Sequence, residues 1–118
     1  MRPMNGQGLQ VLSKSGGRDG VHILTLQGTL SVLSAPSLHE AVNACSGRAL
    51  VIDMTGVSHI DSMAVGGLVR AYVSCQKSGR KLALVGLNRR VLNILSITGV
   101  EPLFEMYASA AEAENALA

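Results

Sequence analysis

The stretch "ALVIDMTGVSHIDSMAVGGLVRAYVSCQKSG", residues 49–79, decides the architecture. Its opening, Ala49–Met54, is an apolar run interrupted only by Asp53. Such a run fits a central strand covered on both faces, the mark of parallel pairing. The pattern then shifts to a helical period: Val65, Leu68, Val69, Tyr72 and Cys75 lie on one stripe that stops at Lys77-Ser78-Gly79, with Gly79 as the C-terminal cap. An acid and a hydroxyl, Asp61 and Ser62, stand at the junction. Gly66 and Gly67 follow inside the helix, each costing about 1 kcal/mol relative to alanine. Something must offset that cost: close packing inside the molecule, or a helix start that another protein approaches.

Working outward, "LQVLSKSG" (from Leu9) and "VHILTLQG" (from Val21) are separated by Gly- and Asp-containing residues, which predicts an antiparallel hairpin. In the second run Val21, Ile23 and Thr25 share one side, and His22, Leu24 and Leu26 the other. Leu38, Ala41, Val42 and Cys45 then mark a crossover helix. Ser34 is expected to cap it, Pro36 fits its first turn, and Leu33 with Leu38 has staple spacing. Downstream, "KLALVGL" (from Lys81) is a strand. "NRRVLNILSITGV" is a helix capped by Asn88 and closed by Gly99, with Leu95 and Val100 in contact across the ending. "LFEMY" reads as a last strand, and Ser109 with Glu112 as a capping box for an alanine-rich helix. The order β-β-α-β-α-β-α-β-α describes an α/β fold with a mixed sheet of about five strands and about four helices. Residues 1–8 read as a flexible N-terminal arm, and 9–118 as one domain.

Composition narrows the function. The chain has 118 residues, 47% of them hydrophobic and only 3% aromatic, so its core must be aliphatic. Three aromatic side chains cannot build a base-stacking surface. A net charge of +2, with its basic residues scattered, does not suit a phosphate-backbone binder, so no direct nucleic-acid contact is expected. Cys45 and Cys75 lack metal or CxxC spacing and read as buried thiols in a reducing compartment. His22, His39 and His59 are dispersed, which predicts neither metal nor cofactor. Neither a signal-like apolar start nor a bilayer-length apolar run is visible, so a cytoplasmic protein without membrane insertion is expected. Nucleophile, base and oxyanion hole are not assembled anywhere, which argues against an enzyme.

At the junction itself, Asp61 and Ser62 have an ordinary explanation as helix caps. Met63, Ala64 and Val65 are either core residues or a small exposed apolar patch with a hydroxyl at its rim; the residues alone leave both open. Ser31 and Thr29 either line this place or bridge strand to helix. Asp53, read as ending its strand, invites comparison with the phospho-accepting acid of a receiver domain, but no acidic pair follows the first strand to hold Mg²⁺. Arg89 and Arg90 are more readily a solvated face than a contact for an acidic partner.

The strand ending at Asp53, "IDSMAVG", "SGRKLALVG" and "ILSITGVEPLF", in that order and spacing, resemble the STAS domain of bacterial anti-sigma factor antagonists. The likeness runs from about Val21 to the C-terminus. It implies that Ser62 is phosphorylated by a partner that is both a serine kinase and an anti-sigma factor. It also implies that Asp61, Met63, Ala64, Val65, Gly66 and Ser31 contact that partner. Met63 stands where the family commonly has Ser or Thr, Ala64 where Gly is common, and Ser31 where an acid is frequent. A second reading that suits these departures is a STAS subunit of an ABC-type membrane transport complex, docking without phosphorylation.

Overall fold

Alternating apolar residues pair strands early in the chain, and helical stripes then carry it back across the sheet. The computed structural model describes residues 4–6 and 8–117. Its strands are β1 (Met4–Gly6), β2 (Leu9–Ser15), β3 (Val21–Leu30), β4 (Ala49–Ile60), β5 (Lys81–Val85) and β6 (Glu105–Tyr107). Its helices are α1 (Ala35–Ala44), α2 (Val65–Lys77), α3 (Arg89–Ile97) and α4 (Ala110–Leu117), with a 3₁₀ turn over Glu101–Leu103. The strands lie in chain order across one sheet. β1, β2 and β3 are antiparallel neighbours, and β3 through β6 run parallel. The expected order is thus present, with one addition: Met4–Gly6, expected within a loose arm, pairs with β2 as an edge strand.

The alternation in β3 and β4 sorts side chains to two faces. Leu24, Leu26, Leu50, Ile52 and Met54 join the main core under α1, α2 and α3. Val21, Ile23, Ala49 and Val51 pack with Ala83 and Val85 beneath Ala113 and Leu117 of α4. Arg48 donates from Nη1 to the Leu117 carbonyl, and the Arg18 amide donates to Glu114 Oε1 at 3.1 Å, fastening α4 to the hairpin end. Gly79 (φ +72°) and Gly99 (φ +78°) close α2 and α3. The amides of Arg80 and Val100 reach back to the carbonyls of Cys75 and Leu95 at 2.8 and 3.1 Å. Asn88 caps α3 as expected, accepting from the Val91 amide at 2.9 Å.

Several local expectations give way to tertiary packing. β4 does not stop at Thr55-Gly56 but runs on to Ile60, so Asp53 sits in mid-strand. Thr25 pairs with Asp53 and Gln27 with Gly56, leaving two residues of β4 opposite Leu26: a bulge. Asp53 Oδ1 accepts from the amide and hydroxyl of Thr55 at 3.0 and 2.7 Å and so braces it. A Cβ on Gly56 would stand 2.9 Å from the Leu26 carbonyl oxygen, which is why glycine continues the strand here. Ser34 does not cap α1 with its side chain; it is fully buried, and its hydroxyl accepts from the Ser31 amide at 2.9 Å and donates to the Thr29 carbonyl at 3.1 Å. Leu33 makes no staple, because it points outward with 67% of its surface exposed.

Candidate functional site

β3 and β4 lie side by side and end in twin turns. Leu30 pairs with Ile60, and the Asp61 amide donates to the Leu30 carbonyl at 3.1 Å. After them, Ser31–Ser34 and Asp61–Ala64 each close on the same bond. The Ser34 amide donates to the Ser31 carbonyl at 3.1 Å, and the Ala64 amide to the Asp61 carbonyl at 3.0 Å. In each turn the first side chain also binds its own backbone. Ser31 Oγ accepts from the Leu33 amide at 3.2 Å, and Asp61 Oδ1 from the Ala64 amide at 2.8 Å.

Asp61 is therefore a brace for the turn rather than the cap of α2, which begins four residues later at Val65. Ser62, at the crest, is exposed, and its hydroxyl makes no hydrogen bond among the described residues. The question left open for residues 63–65 has a split answer. Met63 is 73% exposed, whereas Ala64 and Val65 are buried in the main core. Met63 has a counterpart in the other turn: Leu33 occupies the matching position, and Val32 beside it is also exposed. The apolar patch thus spans two turns, as Val32, Leu33 and Met63. The sequence reading found Met63 and Ser31 but missed Val32 and Leu33. The signal was the repeated pattern of apolar residue, polar brace and outward apolar residue in "LSVL" and "IDSM".

The two glycines separate as well. A Cβ on Gly67 would lie 3.1 Å from the Ala35 Cβ, so this glycine lets α2 rest on α1. Gly66 faces open space, with nothing within 4 Å of an added Cβ. Nearby, Arg90 Nη1 donates to His59 Nε2 at 2.9 Å, which leaves the ring proton on Nδ1, 3.2 Å from Ser58 Oγ. His59 is thus engaged with Arg90 and Ser58 and is no base for Ser62. Arg89 and Arg90 are both exposed, as a solvated face requires, and Arg90 adds a surface bond to His59. Among the described residues no group of three or more His, Cys, Asp or Glu could hold a metal ion, and no helix is long and apolar enough to cross a membrane.

Residues 15–113 match the STAS domain family. The chain belongs to that family. An anti-sigma-B factor antagonist from Listeria monocytogenes is 33% identical over 93 residues, covering 75% of this chain and 82% of the relative. Among solved structures, an anti-sigma factor antagonist from Mycobacterium paratuberculosis superposes with a TM-score of 0.80 at 25% identity, covering 92% of this chain and 93% of that one. A sulfate transporter family protein from Wolinella succinogenes shares the fold, with a TM-score of 0.74 at 23% identity over 83% of this chain and 84% of that one. In this STAS domain the twin turns and the start of α2 form one surface: a free hydroxyl, three outward apolar side chains and an uncovered glycine.

Proposed function

We propose that this chain is an anti-sigma factor antagonist that works by partner switching in the cytoplasm. Unphosphorylated, it binds an anti-sigma factor that is also a serine kinase, and so frees a sigma factor. Phosphorylated at Ser62, it lets go. It is a binding protein and the substrate of an enzyme, not an enzyme itself. The observation that carries this reading is the Ser62 hydroxyl, exposed and without a partner among the described residues, on a turn braced by Asp61.

The physics of release is simple. A phosphate adds about −1.5 to −2 charges. Placed on Ser62, it would sit beside the Asp61 carboxylate and the apolar Met63. A partner surface matched to a neutral, partly apolar turn would then have to desolvate that charge. A loss of about 2–3 kcal/mol, roughly 30- to 150-fold in affinity, is enough to exchange partners. Such a switch needs no rearrangement of the fold. The transport-complex reading rests on a shared fold alone, whereas the antagonist reading also has a relative at 33% identity.

The test is to incubate the chain with the purified anti-sigma factor kinase of its own cell. ATP should place phosphate on wild type and none on Ser62→Ala. Ser62→Ala should bind the kinase as wild type does, and Ser62→Asp at least thirtyfold more weakly. Equal binding by both variants, with no label on wild type, overturns the proposal.

A further inference from the structure

Beyond the turn that carries Ser62, α2 has a face that the rest of the described chain leaves uncovered. Met63 of the turn and Gly66, Arg70, Val73 and Lys77 of α2 recur at alternating spacings of three and four, the seam by which one helix pairs with another. All five are exposed. Across from them lies α1, and the two helices bound a groove in two connected stretches. The first, about 370 Å³, has Val32, Pro36 and His39 opposite Met63 and Gly66. The second, about 340 Å³, continues past Val73 to Lys77. His39 and Arg70 line both.

Two features say what occupies it. Gly66 weakens its own helix, yet its φ is not positive and nothing among the described residues meets a Cβ placed there. A glycine without internal purpose suits a backbone that approaches from outside. The groove is also one-signed: among the described residues its ionisable lining is His39, Arg70 and Lys77, with no carboxylate. We propose that the groove seats an α-helix of the anti-sigma partner. Its apolar face crosses α2 at Gly66, and its flanks carry carboxylates toward Arg70 and Lys77. The seam is about 20 Å long, room for roughly four helical turns. This rests on the partner-switching reading and deepens it: a phosphate on Ser62 would put negative charge at the mouth of a groove that receives an anionic helix.

The test titrates the purified anti-sigma factor kinase with wild type, Gly66→Ala and the Arg70→Glu/Lys77→Glu double variant at low and high salt, with a thermal melt of each. Wild-type binding should weaken as salt rises. The double variant should bind at least tenfold more weakly and lose most of that salt dependence. Gly66→Ala should melt higher than wild type yet bind at least fivefold more weakly. If both variants bind like wild type while Ser62→Asp still releases the kinase, the groove proposal falls and partner switching stands. If wild type itself does not bind the kinase, both fall.

Discussion

A Cβ built on Gly67 would stand 3.1 Å from the Cβ of Ala35, so α2 meets α1 where little more than a hydrogen fits. Gly66, one residue earlier, meets nothing. Gly66→Ala is therefore expected to stabilise the fold by about 0.5–1 kcal/mol through helix propensity alone. Gly67→Ala gains the same propensity but crowds Ala35, so its net effect is smaller and becomes a loss if α1 cannot yield. Denaturant unfolding of the two variants checks the order; a more stable Gly67→Ala protein contradicts it.

Leu33 and Met63 protrude from matching positions in the twin turns and support no core packing. Leu33→Ser and Met63→Ser should each change folding stability by less than about 0.5 kcal/mol. Each should nonetheless weaken kinase binding about tenfold, the behaviour of interface anchors. Isothermal titration beside a melting curve separates the two effects, and an unchanged affinity for both variants excludes these turns from the interface.

Asn88 ties α3 to β4. Its Oδ1 caps α3 through the Val91 amide, and its Nδ2 donates to the Val57 carbonyl at 2.9 Å. Asn88→Ala should cost about 1–2 kcal/mol, since it removes both a cap and a tie to β4. Asn88→Ser keeps a capping oxygen and should recover about half. Equal losses in the two variants would show that the cap contributes nothing.

Burial pushes the Cys45 and Cys75 thiols above the ordinary value of 9.0, against the opposing pull of Arg80. Below that ordinary value, folded and unfolded chains both keep these protons. Above it the unfolded chain gains by ionising, so the thiols make stability decline as pH climbs toward the raised folded values. At pH 8 a thiol reagent should label both cysteines only as fast as the protein opens. Rapid labelling of native protein would contradict this.

Much of the fold was legible because periodicity reports burial directly. The alternation at His22–Leu26 and the stripe from Val65 to Cys75 each predicted the face they occupy. Reading failed where the environment overrides local preference. Thr55-Gly56 has the composition of a strand end, yet the close approach of Leu26 turns it into a bulge. Ser34 is a good cap by type, but the turn before α1 draws its hydroxyl backward to Thr29 and Ser31. At the candidate site, chemistry marked Ser62 and Asp61, while no single-residue rule separates an outward Met63 from an inward Ala64. That distinction comes from where the Asp61 brace sets the start of α2. Val32 escaped notice and Leu33 read only as a staple because, without their twin turn, they resemble any apolar pair ahead of a helix.

The clasp of Arg48 on the last turn of α4 has a practical corollary. It fixes Leu117 near the start of β4, whereas Ser62 follows the strand's far end, so the last turn of α4 and the proposed docking surface occupy opposite poles. A fluorophore attached to the last turn of α4 therefore stays clear of whatever docks at the other pole, and affinities measured on a protein labelled there report the unobstructed interaction.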